Sequence, residues 1–373
     1  MKKKLAIIRA DDTQMPFILK AKEMGIETHC FAWDKEGYTH CKGVANYFHP
    51  ISIFEKEQIL EECKKIKIDG IISKSDNAQP TVTFVAQNMG LICNSYESAL
   101  IANSKFSARK AFLKNGVKSP PFALASENVD LSRFKYPLIV KPVDRKATVG
   151  VTKVEKEDDL KNAIQHAQNE SYNKEAIIEE FIPGYEVSVD SISNNGKHYV
   201  LAIKERELAV GVNCNVKIAG HCPTNLSSDI ENKIKIETQK ALDAINFRYG
   251  ASNTEFRVND DGEIFIIEVN PRMAGNYSDI LMKLHNGYDL VKGVIDVALG
   301  QFEEPVISEV KHSGIYFYTK ETEWVKQIII NRKNDPDIIY AELNDLELPV
   351  LQYIGSNGGF FIYQSEKRRR WGK

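Results

Sequence analysis

The segment 255–272 constrains the fold of this 373-residue chain more than any other. Its sequence, EFRVNDDGEIFIIEVNPR, contains two apolar stretches separated by Asn-Asp-Asp-Gly, which predicts two antiparallel strands joined by a tight turn. Such a hairpin brings Glu255 on the first strand beside Glu268 near the end of the second. Because alternate residues of a strand share a face, Glu268 and Asn270 project together, and Arg272 follows with the same spacing.

These side chains carry the chemistry of a cation site. Two carboxylates and an amide oxygen that converge, with no lysine between them in the hairpin, repel one another unless a cation binds. Oxygen ligands of this kind suit Mg²⁺. The alternative is a solvated sheet end at which each group meets water separately, and the rest of the chain favours the metal.

Basic residues stand where phosphates would need them. Lys141 ends the predicted strand PLIVK, and Lys105 opens a helix that Ser104 can cap. A cation at a helix start is disfavoured by the helix dipole. It is reasonable if the cation and the helix N-terminus bind the same anion. The loop 144–150, DRKATVG, adds Arg145, Lys146, the Thr148 hydroxyl and a flexible glycine, which together predict a flap that covers phosphates.

The segment EEFIPGYE, residues 179–186, offers contacts for a base and a sugar. Its backbone N–H and C=O groups at Phe181 and Ile182 can pair with an adenine edge while the side chains pack on the ring. The Glu186 carboxylate can accept hydrogen bonds from ribose hydroxyls. Read alone, the same segment is an ordinary strand, turn and strand.

Residues 1–94 alternate three strand-like runs with helical stretches that end at glycine, which predicts a doubly wound parallel sheet. No GxGxxG follows the first strand, so a dinucleotide site is disfavoured. The net charge of −2 favours neither nucleic acid nor membrane as a partner. Six cysteines without a CxxC pair predict reduced thiols and a cytoplasmic location.

Two further features have competing interpretations. The segment CNVKIAGHC brings Cys214, His221 and Cys222 together, but its spacing fits no common zinc pattern, so we interpret the cysteines as buried thiols. The tail KRRRWGK, residues 367–373, can grip phosphates, and we interpret it as a solvated terminus instead.

Taken together, these segments resemble the ATP-grasp superfamily, and the resemblance covers most of the chain. It implies an α/β fold, α+β in its second part, with a Rossmann-like domain at 1–94 and an ATP-grasp domain at 95–373. Within the latter it implies a small lid lobe at 120–182 and a large catalytic lobe at 183–373. EVNPRMAGN and the residues after it are most similar to the branch of L-amino-acid ligases and carbamoyl-phosphate-synthase-like enzymes.

The resemblance also implies residue roles. The family's metal ligands correspond to Glu255, Glu268 and Asn270 in this sequence. Its catalytic residues correspond to Arg272 and Lys141. Contacts to ATP match Lys105, Lys141, Thr148, Glu179, Glu180, Phe181, Ile182 and Glu186. Thr148 stands where the family usually has serine, in a loop that is poorer in glycine than usual. The cofactors implied are ATP and two Mg²⁺ ions, for which Mn²⁺ can substitute.

The implied reaction joins a carboxylate, such as that of an amino acid, to an amine through an acyl phosphate, and releases ADP and phosphate. Two alternatives stay open: a bicarbonate-using carboxylase or carbamoyl-phosphate-type enzyme, and a nucleotide-binding protein without catalysis. The partners expected are small-molecule acid and amine substrates. Many members of the superfamily are dimers, so the resemblance suggests a homodimer.

Overall fold

The structure is a computed structural model that describes residues 2–125, 129–210, 215–307, 310–331, 335–344 and 357–371. Its strands form three sheets, of four, four and eight strands. The predicted α/β class is confirmed, with a parallel sheet first and antiparallel sheets after it. The limits predicted for the domain and the lobes stay a prediction.

The first sheet is parallel and has the order β3-β2-β1-β4. Its elements are β1 (Lys4–Ile8), α1 (Met15–Glu23), β2 (Glu27–Phe31), β3 (Tyr47–His49), α2 (Lys56–Ile66), β4 (Gly70–Ile72) and α3 (Gln79–Met89). Three of these strands were predicted, and the short β3 was not. The apolar strand β1 is buried on both faces, as expected for the centre of a parallel sheet.

Two helices, α4 (Tyr96–Asn103) and α5 (Lys105–Lys114), lead to the second sheet. As predicted, Ser104 caps α5, and its side chain accepts a hydrogen bond from the Ser107 N–H. The second sheet, here the small sheet, has the order β5-β8-β6-β7 and is antiparallel. Its elements are β5 (Phe122–Leu124), β6 (Leu138–Pro142), β7 (Thr152–Val154), α6 (Leu160–Glu170) and β8 (Ala176–Glu180).

The third sheet, here the large sheet, has the order β13-β12-β9-β10-β11-β14-β16-β15. Its first elements are β9 (Tyr185–Asn194), β10 (Lys197–Val210), β11 (Asn215–Cys222), α7 (Ser228–Ala244), β12 (Gly250–Val258) and β13 (Ile264–Asn270). It continues with α8 (Ser278–Asn286), α9 (Leu290–Ala298), β14 (His312–Phe317), α10 (Trp324–Asn331), β15 (Ile338–Leu343) and β16 (Gly359–Ser365).

One apolar core joins the first sheet to the large sheet. Leu5 and Phe17 from the first sheet and α1 belong to the same buried cluster as Ile192 on β9 and Ile295 on α9. Close contact is visible at Gly70, where an added Cβ would come within 2.8 Å of the Ala298 carbonyl oxygen. The first sheet is therefore packed onto the part of the chain that carries the predicted metal ligands.

The described part of the basic tail is docked on the large sheet, so the prediction of a solvated terminus was wrong. Trp371 is buried, with ring centroids 4.7 Å from Tyr363 and 5.2 Å from Phe361. Arg368 contacts Glu205 at 2.8 Å, and Arg369 contacts Asp335 at 3.0 Å. The tail gains stability from burial of the tryptophan in an aromatic cluster and from ion pairs with acidic residues of distant segments. These contributions exceed the free energy gained by solvating its charges.

Across the described ranges, none of the helices combines the length and the apolar composition that a membrane crossing requires.

Candidate active site

A cavity of about 200 Å³ lies between the small sheet and the large sheet. Every residue predicted to contact ATP lines it, and so do the two predicted carboxylate ligands: Lys105, Lys141, Thr148, Glu179, Glu180, Phe181, Ile182, Glu186, Glu255 and Glu268. Segments far apart in the sequence therefore converge on one space. Asn270 and Arg272 are not part of this wall.

The hairpin has the predicted pairing. Glu255 on β12 lies opposite Glu268 on β13, and Asn253 lies opposite Asn270. Strand β13 ends at Asn270, because the proline that follows has no N–H to continue the ladder. The two carboxylates thus face the cavity from neighbouring strands, with the Asn270 side chain next along the same face.

Protein cations neutralise both carboxylates, a feature that the hairpin sequence alone did not reveal. The Arg206 guanidinium lies 2.7 Å from Glu255. The ammonium groups of Lys146 and Lys105 lie 2.7 Å and 3.4 Å from Glu268. Although burial disfavours its charge, these two lysines hold the pKa of the Glu268 carboxyl well below its ordinary value. The repulsion expected from the hairpin sequence is therefore relieved by protein cations from distant segments.

The donor set fits a hard divalent cation. Glu255, Glu268 and Asn270 provide only oxygen ligands, which is what Mg²⁺ prefers. A cluster of three or more His, Cys, Asp or Glu side chains able to hold a metal is absent from the described ranges. An ion that used all three oxygen ligands would meet the Lys146 ammonium, which lies 3.5 Å from the Asn270 amide oxygen.

Lys141 is held by a buried ionic cluster. Its ammonium contacts Glu179 at 2.6 Å, and the Arg109 Nε lies 2.8 Å from the other oxygen of Glu179 without the alignment of a hydrogen bond. Burial opposes the charge of Glu179, but Arg109 and Lys141 keep the pKa of this carboxyl below its ordinary value. Glu179 therefore positions Lys141. Arg109 was not predicted, since nothing in the helix sequence around it indicates a buried charge.

The predicted base-binding segment follows β8, which ends at Glu180. The Phe181 N–H donates to the Pro137 carbonyl at 3.0 Å, so the prediction that this N–H is available to a base was wrong. The Glu180 carboxylate accepts from the Lys135 N–H at 2.9 Å. Ile182 lies beyond these bonds in the link between the two sheets, and it lines the cavity.

Glu186 is paired with two arginines. Its oxygens lie 3.0 Å from Arg206 and 3.1 Å from Arg257. Arg206 therefore bridges Glu186 and Glu255, which lie on adjacent strands, β9 and β12. This bridge could not be predicted from the sequence, because Arg206 comes from the long strand β10 and has no distinctive neighbours.

The cavity wall carries eight basic and five acidic side chains, an excess of positive charge suited to a polyanion. The basic residues are Lys105, Lys141, Arg145, Lys146, Lys153, Arg206, Lys217 and Arg257. Four of them, Lys153, Arg206, Lys217 and Arg257, were not predicted. Burial, together with the nearby Arg206 and Lys204, lowers the pKa of the Lys217 ammonium to about 7.

Arg272 points toward the first sheet. Its Nε and Nη2 lie 2.9 Å and 2.8 Å from one oxygen of Asp76, and its Nη1 donates to the Met273 carbonyl at 3.0 Å. The expectation that Arg272 continues the face of Glu268 and Asn270 was therefore wrong. Alternation applies only within a strand, and β13 ends before Arg272.

Two members of the cysteine and histidine segment, His221 and Cys222, lie in the described residues, and both are buried. His221 is buried, with its ring nitrogens 3.2 Å from Glu207 and 3.1 Å from the Tyr363 hydroxyl. Cys222 is a buried free thiol, as expected. Cys214 lies outside the described residues.

Comparison with known proteins gives one family match and several relatives. Residues 134–279 match the family described as ATP-grasp domain. The carbamoyl phosphate synthase large chain of Thermoanaerobacter sp. (strain X514) is 26% identical over 259 residues, which are 68% of this chain and 24% of the relative. The alanine–anticapsin ligase of Bacillus amyloliquefaciens is 26% identical over 322 residues, which are 76% of this chain and 67% of the relative.

This chain thus spans about a quarter of the length of that carbamoyl phosphate synthase large chain. Solved structures share its fold over nearly its whole length. An L-amino acid ligase from Bacillus licheniformis aligns with a TM-score of 0.79 at 23% identity, over 98% of this chain and 94% of that one. An N5-carboxyaminoimidazole synthetase from Staphylococcus aureus, complexed with ADP, aligns with a TM-score of 0.79 at 16% identity, over 98% and 95%.

Proposed function

We propose that this chain, which contains an ATP-grasp domain, is an ATP-dependent ligase that joins a small carboxylic acid to an amine. One observation carries the proposal. The cavity between the two antiparallel sheets has a strongly basic wall and contains two carboxylates opposite each other on paired strands, Glu255 and Glu268. Basic groups suit the phosphates of ATP, and the carboxylates suit the metal that accompanies them.

The phosphate contacts come from two buried lysines. Lys141 is oriented by Glu179, and Lys105 reaches the cavity from the first turn of α5, where its ammonium donates to the Arg145 carbonyl at 2.5 Å. Burial, together with Lys146 and Lys141, lowers the pKa of Lys105 to about 8, although Glu268 opposes this. A bound phosphate would give these two cations a further negatively charged partner.

Glu255, Glu268 and Asn270 would hold Mg²⁺, as two ions or with Mn²⁺ in its place. The metal supplies charge neutralisation on the transferring phosphoryl group. The protein supplies the oxygen donors from two adjacent strands whose register is fixed by the hairpin. Ile182 would meet the base and Glu186 the ribose, and the Lys153 and Arg257 cations lie 4.6 Å and 5.2 Å from the Phe181 ring centroid.

The reaction has two steps. The substrate carboxylate attacks the γ-phosphate of ATP, so that an acyl phosphate forms and ADP leaves. The amine then attacks the acyl carbon, the C–O bond to phosphate breaks, and the amine gives up a proton. Arg272, always charged and fork-shaped, would stabilise the acyl phosphate and the oxyanion that follows. The loop 144–150 would exclude water from the intermediate.

A second candidate is an enzyme that uses bicarbonate as its acid. It is favoured by the relatives named carbamoyl phosphate synthase large chain. Its first step has the same chemistry, because bicarbonate also presents a carboxylate-like oxygen to the γ-phosphate. The two candidates therefore differ in the acid that releases ADP.

A screen of ADP release tests the proposal. Amino acids and related acids are crossed with amines in the presence of Mg²⁺-ATP, a bicarbonate arm is included, and products are identified by mass. We expect ADP release and an amide product for at least one organic acid. ADP release with bicarbonate alone would support the second candidate. If no arm of the screen released ADP, the result would favour a nucleotide-binding protein without catalysis.

Glu268→Ala provides the matched variant for this screen. We expect its ADP release to fall by roughly 100-fold or more, because the phosphoryl group loses its charge neutralisation. Glu263→Ala is the control, since Glu263 is exposed at the turn of the same hairpin and contacts Lys118 instead. Unchanged turnover of Glu268→Ala would contradict the metal assignment.

A further inference from the structure

Lys146 occupies a position among the proposed metal ligands. Its ammonium donates to the Glu268 carboxylate at 2.7 Å and lies 3.5 Å from the Asn270 amide oxygen. Its side chain is only 17% exposed, although it belongs to a loop. A lysine normally extends its charge into water, so its inward course is a specific feature of this loop.

Other contacts hold the loop in the conformation that directs Lys146 inward. The Asp144 carboxylate accepts from the backbone N–H groups of Tyr172 and Asn173, at 3.2 Å and 2.8 Å. The Arg145 guanidinium lies over the Tyr172 ring, 4.6 Å from its centroid. Arg145 and Lys146 therefore extend in different directions, one toward a surface ring and one toward the metal ligands.

The backbone after Lys146 is strained. Ala147 and Thr148 have φ values of 56° and 62°, in the left-handed region that residues with a Cβ rarely occupy. Two successive non-glycine residues in this region carry an energetic cost that other interactions must offset. The contact of Lys146 with Glu268 is a buried interaction that helps to offset this cost. A loss of that contact favours a different loop conformation.

The same oxygens cannot serve an ammonium and a divalent cation together. A metal ion bound to Glu268 and Asn270 would lie within a few ångströms of the Lys146 charge, and the repulsion in a buried site is strong. Lys105 also contacts Glu268, but it is anchored in α5 and donates to the Arg145 carbonyl. Lys146, on a loop, is the cation that can leave.

We propose that Lys146 is a tethered cation that occupies the oxygens of Glu268 and Asn270 until a metal ion displaces it, so that metal binding changes the conformation of loop 144–150. This inference rests on the proposed function, because it uses the same metal ligands. The displaced ammonium stays in a loop that lines the nucleotide cavity, where it can contact phosphate. Metal loading therefore prepares the loop for the nucleotide.

Mn²⁺ binding in the absence of nucleotide tests the competition directly. Calorimetry or electron paramagnetic resonance compares the unaltered protein with Lys146→Met, which keeps most of the side-chain length and removes the charge. We expect the variant to bind Mn²⁺ roughly tenfold more tightly, since a competing charge is gone. Lys156→Met makes the same substitution at an exposed lysine that pairs with Asp158 outside the cavity wall, and its affinity should equal that of the unaltered protein.

Limited trypsin digestion provides the second readout. Cleavage after Arg145 is expected to be slow in the metal-free protein, because the loop is held on both sides, and to become several-fold faster when Mn²⁺ is added. Lys146→Met should be cleaved quickly with or without the metal. Cleavage rates that do not respond to Mn²⁺ in the unaltered protein would contradict the coupling.

The outcomes separate this inference from the proposed function. Equal Mn²⁺ affinity in the unaltered protein and in Lys146→Met, together with loss of binding in Glu268→Ala, would overturn the tethered cation and leave the metal site in place. Weaker binding in Lys146→Met would also overturn it. Absence of Mn²⁺ binding in every protein would instead overturn the metal assignment on which the proposed function depends.

Discussion

Arg272 links the two parts of the molecule that a ligase reaction would bring together. It follows the strand that carries Glu268 and Asn270, and its guanidinium forms two contacts with one oxygen of Asp76. Asp76 follows β4, at the carboxyl ends of the parallel strands, where α/β sheets commonly bind ligands. The other oxygen of Asp76 is buried without a hydrogen bond. A substrate group bound at this junction would donate a hydrogen bond to that oxygen of Asp76.

Arg272→Met tests whether the guanidinium acts on the reaction or on the nucleotide. We expect kcat to fall by roughly 100-fold or more, because a charge that stabilises the developing oxyanion is lost. The Kd for ATP should change by less than about threefold, as Arg272 is outside the cavity wall. Asp76→Asn keeps the arginine and should cost less. A larger loss of ATP affinity than of kcat would mean that Arg272 only anchors nucleotide.

Histidine burial contributes to the way stability responds to pH. Burial is the largest cause that lowers the pKa of His49, His198, His221 and His285 below the ordinary value of 6.5. The unfolded chain then binds more protons than the folded chain in this range. The stabilisation is complete above about pH 6.5 and is lost as the pH falls, by about 1.4 kcal/mol for each histidine whose pKa is lowered by one unit.

Urea unfolding at about pH 8 and about pH 5.5 measures this dependence, above the range in which most carboxylates titrate. We expect the free energy of unfolding to decrease at the lower pH. The decrease should be smaller in His221→Gln, which removes one buried titrating ring, and unchanged in His166→Gln, whose side chain is exposed. A free energy that rises toward low pH would contradict the sign.

At the scale of elements, local sequence patterns predicted the features that local interactions determine, namely turns and helix starts. The turn residues fixed the register of β12 and β13, and the Ser104 cap fixed the start of α5. The cations that pair with Glu186, Glu255 and Glu179 could not be predicted in this way. Arg206 and Arg109 lie in ordinary strand and helix sequences, and only the packing of distant segments turns them toward acids.

Helix α5 is held to both antiparallel sheets through Arg109. This residue is 1% exposed, contacts Glu179 at the end of β8 and donates to the Ile267 carbonyl of β13 at 2.7 Å. Arg109→Met leaves a buried carboxylate with one partner fewer, so the free energy of unfolding should fall by about 3 kcal/mol.

Urea unfolding compares Arg109→Met with Lys110→Met, a neighbour on the same helix whose side chain is exposed. The control should stay within about 0.5 kcal/mol of the unaltered protein. Arg109→Lys keeps the charge, but the ammonium cannot reach two acceptors as the forked guanidinium does. Its free energy of unfolding should lie between those of Arg109→Met and Lys110→Met. Equal stability of Arg109→Met and the control would show that the buried pair contributes nothing net.

At the scale of the whole molecule, the sequence predicted the succession of sheets but not how the chain returns on itself. The described tail packs on the large sheet, against β10, β14 and β16. Glu205, which pairs with Arg368, alternates along β10 with Arg206, so the two side chains occupy opposite faces. The tail therefore packs on the face of β10 that is opposite the face presenting Arg206 to the cavity. Basic composition alone predicted solvation, because the acceptor surface is assembled only by folding.

Trp371→Ala tests the contribution of the docked tail. A buried tryptophan truncated to alanine leaves a cavity among Tyr316, Phe361 and Tyr363, so we expect the free energy of unfolding to fall by about 3 kcal/mol. Arg370→Ala, at an exposed neighbouring position, is the control and should change it by less than about 0.5 kcal/mol. Because β10 loses support on its rear face, nucleotide affinity should also weaken in Trp371→Ala and not in the control. Full stability of Trp371→Ala in urea would mean that the tail rests on the sheet without stabilising it.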